Sequence, residues 1–566
     1  MMFLDPKKFA TAFVKPGTPM LSVLITQLED TSEHLSDIRR RDLSSGLRGI
    51  AKALGYAPQN VPADLGWLQP RLANVAPAAV GLSAKTWSNL LSNARAALQH
   101  FNLAKERVNR RKDLSPAWRQ LWEAQQATAQ RSIGYALCNF VFFLSAMEIA
   151  PEDVRSEHVL AYREALKEND IRKNLEETSR KAAYGWNCAV AAYDFWPRQT
   201  LTLPSLNRQI APFMSELSQS FAIDMEHYLK SLTQSDPLAT SGRISPLRPA
   251  TVLSHRQNIM RFTGILIKAG IPAEEITGIA TLASPVNAER GLRWMLTRSG
   301  NETTSDIENM ASLLALIGRD YLGLERLDLE ALAMLAKKLA MPRQRGMTPK
   351  NRDRLRAVSD PKTLRKLLLL PEQLFLRAER NKRLMTATLE REDAIALAIL
   401  QTCMIRRKNL VEIHLDRNLH RPGDGSVYLV FQKAETKTRQ MIEFLLPDEI
   451  VRMIDIHVRT RSPALCPPGT VWLFPKRDGS GPIDFNRMST KLTKRHHREL
   501  GLDFNMHLYR HLAAKIFLDE NPGAFEVVRR LLGHSSTSTT LDAYLGFEAG
   551  TATRLFADIL NKKRKE

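Results

Sequence analysis

Two short stretches near the C-terminal end constrain this chain most: HLYRH at 507–511, and RRLLGHSSTSTTLDAYLGFE at 529–548. His507 and Arg510 stand three residues apart, which on a helix places both on one face and aims them at one target. His534 and Tyr544 follow. A guanidinium donates two parallel hydrogen bonds that match two phosphate oxygens. A tyrosine hydroxyl beside such groups can serve as a covalent nucleophile. The tyrosine must therefore meet arginines, its own or a neighbouring copy's, around one phosphate, and the chemistry indicated is phosphodiester chemistry without an obvious metal.

With 566 residues, the chain is long enough for roughly three to five domains of about 100–200 residues each. Hydrophobic residues make up 44% and charged residues 25%, a globular rather than a disordered or fibrous balance. The formal net charge of +21 favours a polyanionic partner, with nucleic acid ahead of a membrane surface. Cys138, Cys188, Cys403 and Cys466 lie far apart and form no C-x-x-C pair. That spacing predicts reduced thiols in a cytoplasmic compartment rather than a disulfide framework. The best candidate for a span, ALCNFVFFLSAM at 136–147, falls short of the ~18–20 residues that span a bilayer and reads as a buried helix. The N-terminus has no basic start followed by a long apolar core, so no signal peptide is expected.

Taken in order, residues 1–205 read as almost wholly helical. LSSGLRGIAKALGY at 43–56 and LSAKTWSNLLSNARAALQHF at 82–101 carry apolar residues at helical spacing. A similar succession appears in 132–196 and in 250–320. In each, a Gly or Ile-Pro break is followed about 30 residues later by a helix expected to open on Thr86, Thr178 or Thr304. A threefold duplication and mere likeness among helical hairpins remain equally open. Linkers are expected at 235–249 and at the basic, Pro-marked stretch 341–361. Beyond 362, a long helical stretch at 386–415 precedes SVYLVFQKAETKTRQMIEFLLP (426–447), which predicts two strands around a charged turn. PDEIVRMIDIHVRTRSP returns to helix, TVWLFPKRDGSGPID predicts a short strand and turn, and the remainder is helical up to a solvated basic tail.

These residues resemble the tyrosine recombinase family, the phage-integrase type of site-specific recombinase. The resemblance is close over roughly the last 200 residues, and looser over the helical blocks, which resemble the core-binding domains that precede such catalytic domains. It implies a mainly α fold with a small β-sheet in the C-terminal domain. The implied plan is an N-terminal helical domain at 1–105, a second helical domain at 106–205, a core-binding domain at 206–350 and a catalytic domain at 362–566. The family pattern places its first arginine at Arg406, with Arg407 the competitor in register, and its hairpin lysine at Lys437, with Lys433 the fallback. His507 and Arg510 match its His-x-x-Arg box, His534 its Leu-Gly-His box, and Tyr544 its nucleophile. Singly, each residue has an ordinary structural explanation, such as a solvated helix face, a turn lysine or a half-buried aromatic anchor. Their shared order and spacing carry the resemblance.

This sequence departs from the pattern twice. Asn409 stands where an acidic residue is usual, and it can hydrogen-bond a neighbour but lends no negative charge. Tyr544 lies ten residues after His534, where nine is commoner. The resemblance implies attack by Tyr544 on a DNA phosphate, Arg406 and Arg510 on the non-bridging oxygens, Lys437 as acid for the leaving oxygen, and His507 and His534 in support. It further implies double-stranded DNA as partner, a homo-tetramer or a mixed assembly with related recombinases, a bacterial nucleoid setting, and no cofactor or metal. The adjacent pair His496-His497 lacks the cysteine or acidic companions of a metal site. A type IB topoisomerase-like activity and a non-catalytic, recombinase-derived DNA-binding protein are the competing expectations.

Overall fold

The computed structural model describes residues 14, 17–30, 35–104, 114–169, 171, 174–203, 210–234, 245–342, 346–533, 556–557 and 559–564. The fold is mainly helical with one small antiparallel sheet. Two compact units are formed: one from 1–201 together with 344–566, the other from Thr202–Arg343.

In the larger unit the chain begins with α1 (Leu21–Asp30), α2 (Asp37–Ala53), α3 (Leu65–Leu72) and α4 (Ala84–His100). Leu28, Leu47, Ile50, Leu68, Ala94 and Leu98 are buried between them. Gly46 lets α2 and α4 cross closely, since a Cβ there would stand 2.6 Å from the Ala94 amide nitrogen. Next come α5 (Pro116–Ala127), α6 (Arg131–Ala146), α7 (Ser156–Asn169) and α8 (Leu175–Ala192). Their core is aromatic: the Trp186 and Trp196 rings meet at 5.3 Å, and Trp118 and Phe140 also pack edge-on against Trp186. The apolar run at 136–147 lies within α6, with Leu137, Phe140, Val141 and Leu144 wholly buried.

The smaller unit comprises α9 (Gln219–Ser231), α10 (Pro249–Lys268), α11 (Ile279–Ala283), α12 (Pro285–Arg298), α13 (Ser305–Ile317) and α14 (Arg326–Lys338) around Phe221, Tyr228, Phe262, Leu314 and Ile317. Asp224 ties it together, accepting from the Ile279 amide at 2.6 Å and the Tyr321 hydroxyl at 2.6 Å. The threonine landmarks do not share one structural role. Thr304 does cap α13, accepting from the Ile307 amide. Ser83 caps α4 and Asn174 caps α8, leaving Thr86 and Thr178 inside the helices. Serine and asparagine cap as well as threonine, so the earlier cap won at both places.

The larger unit resumes with α15 (Pro349–Arg356), α16 (Pro361–Glu379), α17 (Leu384–Cys403), α18 (Arg407–Val411) and α19 (Leu415–Asn418). The stretch expected as a tether, 341–361, is therefore partly folded. Thr348 caps α15 with Pro349 in the first turn, and Leu355 and Val358 are buried. Strands β1 (Leu419–His420), β2 (Tyr428–Phe431) and β3 (Ile442–Leu445) form the sheet in that order, with Leu419 opposite Leu429 and Val430 opposite Glu443. The strand expected in TVWLF is reduced to isolated bridges, His414 to Trp472 and Pro475 to Pro482. Helices α20 (Asp448–Thr460), α21 (Phe485–Leu500), α22 (Leu508–Glu520) and α23 (Phe525–Leu532) complete the unit.

Helix α17 is the axis of this domain, with every residue from Ala394 to Leu400 buried. It also buries four consecutive charged residues, Glu390 to Asp393. These are matched from α21: Lys491 lies 2.9 Å from Glu392 and 2.8 Å from Asp393, and Arg495 lies 2.6 Å from Asp393. Burial alone would depress the Lys491 ammonium, but the carboxylates of Glu392 and Asp393 outweigh it and leave that pKa raised. Arg377 on α16 adds bonds to Glu390 and Glu499.

Candidate active site

The break after α17 builds one wall of the site. Met404 takes a left-handed conformation, φ 50°, which stops the helix and turns its carbonyl out of the helical ladder. Arg406 then caps α18 in an extended conformation, and Leu410 and Ile413 anchor this segment in the core. The two candidate arginines separate here. Arg407 is exposed and packs over the Phe485 ring at 4.6 Å, donating to the Asn486 side chain at 3.3 Å. Arg406 is half-buried, and burial lowers its guanidinium pKa.

Arg510, on the first turn of α22, is 6% exposed. One terminal nitrogen donates to the Met404 carbonyl and the other to the Leu532 carbonyl. Those carbonyls stand two residues before Arg406 and two before His534. A single planar fork thus joins the segment of the first arginine to the end of α23 that leads into the Leu-Gly-His box. Lysine could not make this bridge with the same geometry.

His507 begins the turn that starts α22 and lies at the surface, its ring edge-on to His511 at 4.7 Å. Although the residue is exposed, the protein crowding its ring partly desolvates it, which lowers its pKa first, and the charges of Arg510, Arg407 and Arg406 lower it further. Three guanidiniums close enough to disfavour the imidazolium make the surroundings cationic and suited to an anion. Tyr509 is wholly buried, its hydroxyl 2.8 Å from His496 Nε2, and burial raises its pKa, so it is packed as a core group.

Lys437 and Lys433 are both exposed on the ten-residue turn between β2 and β3. Thr436 pins that turn from inside: its hydroxyl donates to the Gln440 carbonyl at 2.7 Å and accepts from the Gln440 amide at 3.1 Å. Asn409, buried on α18, donates to the Glu435 carbonyl at 3.1 Å. The residue at the usually acidic position therefore holds the lysine-bearing turn against the Arg406 segment, a role that requires a donor. Sequence reasoning missed this contact, although an amide at that position was its one available signal.

His534 and Tyr544 lie outside the described residues. Of the neighbouring histidines, His496 is buried and bonded to Tyr509 while His497 is exposed, so the two do not converge on one point.

Residues 374–548 match the phage integrase family, and the C-terminal part of this chain is a phage integrase family domain. Among solved structures the chain is similar to the XerH site-specific recombinase bound to palindromic difH substrate. That match is 13% identical, covers 59% of this chain and 94% of that one, and has a TM-score of 0.34. It is also similar to the Tn1549 transposon integrase with circular intermediate DNA (14% identity, 55% and 94% coverage, TM-score 0.31) and to the XerA recombinase (13%, 56% and 90%, 0.22). No curated protein matches it.

Proposed function

We propose that this protein is a site-specific DNA recombinase that cuts and rejoins DNA through a 3′-phosphotyrosyl intermediate, in integration or excision of a mobile element. The observation that carries this reading is the Arg510 fork, which draws the segments leading to Arg406 and to His534 onto the helix of His507. In the proposed reaction the Tyr544 oxygen attacks the scissile phosphorus, the tyrosyl–phosphate ester forms, and the bond to the 5′-oxygen breaks. Lys437 gives that oxygen its proton. His507 takes the tyrosine's proton, and His534 bonds the phosphate. Arg406 and Arg510 face the non-bridging oxygens, Arg510 from a guanidinium whose orientation is already fixed. The ester bond is conserved, so a new 5′-hydroxyl reverses the step without ATP.

The helical blocks at 1–105, 106–205 and 206–350 are proposed to grip DNA around the catalytic domain at 362–566, chiefly through phosphates. Assembly of a homo-tetramer, or of a mixed complex with related recombinases, is assigned to the C-terminal segment. There Phe556 is 60% and Ile559 58% exposed. Deleting 550–566 is expected to abolish assembly on DNA.

A nicked suicide duplex tests the chemistry. Wild-type protein should form a covalent adduct and Tyr544→Phe none, while both bind the duplex. Binding without an adduct in the wild type would favour the non-catalytic reading instead. Relaxation of supercoils without exchange between two duplexes would favour the topoisomerase reading.

A further inference from the structure

We propose that Glu392, His457 and Cys466 form a binding site for one divalent cation of the zinc class, which clamps α17, α20 and the loop at 461–474 together. One ligand atom from each residue lies within 4.8 Å of the other two, and all three residues are buried. The second observation is His457 itself. It is 0% exposed, and neither ring nitrogen has a hydrogen-bond partner. A buried imidazole left this way needs a physical reason, and a ligand between it and its two neighbours supplies one. The Leu473 backbone lies close to the ring, but no bond of full hydrogen-bond geometry reaches either nitrogen.

The donor set selects the ion. A thiolate, an imidazole and one carboxylate suit zinc, whereas magnesium and calcium take oxygen ligands. Glu392 is arranged for it: Oε1 accepts from the Cys466 thiol at 3.8 Å, while Oε2 is the oxygen paired with Lys491. Oε1 can therefore bind the ion while Lys491 keeps both Oε2 and Asp393. The nearby guanidiniums are engaged elsewhere, Arg461 on the Trp472 and Thr470 carbonyls and Arg391 on the Thr460 carbonyl. On binding, the metal–sulfur bond forms and the thiol proton leaves to buffer. Three protein ligands leave a fourth position for water. None of the three residues belongs to the proposed strand-cleaving set, so the ion stabilises the domain rather than serving cleavage.

Tag-free, full-length protein stripped with chelator and titrated with cobalt(II) tests this. Binding of one equivalent is expected, with a thiolate-to-cobalt charge-transfer band that zinc abolishes by displacement. Cys466→Ser should lose the band, Cys403→Ser should keep it, and His457→Gln should weaken binding roughly tenfold or more. X-ray absorption of the zinc-loaded wild type should show one sulfur and one imidazole, a readout independent of how the variants fold. Failure to bind cobalt, a band that survives Cys466→Ser, or a shell of oxygen and nitrogen alone would overturn the proposal.

Discussion

Arg510→Lys keeps the positive charge and loses the fork that spans the Met404 and Leu532 carbonyls. Adduct formation on a nicked duplex is expected to fall by ~10²-fold or more, while DNA affinity changes by no more than one phosphate contact allows. Equal losses in binding and cleavage would contradict a positioning role. Asn409→Asp poses a sharper question, because it restores the residue type common in the family. Here it sets a carboxylate against the Glu435 carbonyl that Asn409 now bonds. Urea unfolding should report a loss of about 1–3 kcal/mol, and the adduct should form more slowly. If Asn409→Asp proves neutral or faster, the turn holds its place without that donor.

At the level of helices and strands, the buried pairing of α17 with α21 distinguishes this domain from one built on apolar contact alone. Asp393→Asn leaves the Lys491 and Arg495 charges short of a partner in the core. It is expected to cost about 3–5 kcal/mol in urea unfolding. Arg498→Ala, which removes only the exposed half of a surface pair with Glu499, should cost about 1 kcal/mol or less. Equal effects would mean the buried network is solvated. This pairing also shows where sequence reading stops. The placement of His507 and Arg510 on one turn is legible because i and i+3 is a local relation, and the β2–β3 hairpin because alternation is local too. The burial of Glu390 to Asp393 is not legible, since nothing nearby in sequence says that Lys491 and Arg495, about a hundred residues on, will cover them. The helix caps at Ser83 and Asn174 were hidden by equally good caps beside them. Sequence narrows the first arginine to two neighbours, and the difference between an exposed Arg407 over Phe485 and a half-buried Arg406 is visible only in the structure.

For the molecule as a whole, the larger unit joins residues from both ends of the chain. Gly501, φ 72°, ends α21 where a Cβ would strike Ala79, so the N-terminal helices meet the C-terminal part of the unit at the helix that also carries Lys491, Arg495 and His496. Stability of this unit should therefore report on protons taken up at that helix. Burial lowers the His496 pKa to about 4, whereas an unfolded histidine titrates near 6.5. The folded state thus refuses a proton that the unfolded chain accepts. The contribution is fully present above about pH 6.5 and is lost progressively as pH falls toward 4. Between pH 6 and 5 the unfolding free energy should decline by about 1.2 kcal/mol per pH unit on account of this one group. His496→Gln retains a partner for the Tyr509 hydroxyl and removes the titration. Urea unfolding of both proteins in chelator, at half-unit steps from pH 7 to 5, should give slopes that differ by nearly one proton. Parallel slopes would mean that His496 is charged in the folded protein, and that the core between α21 and α22 is wetter than its burial implies.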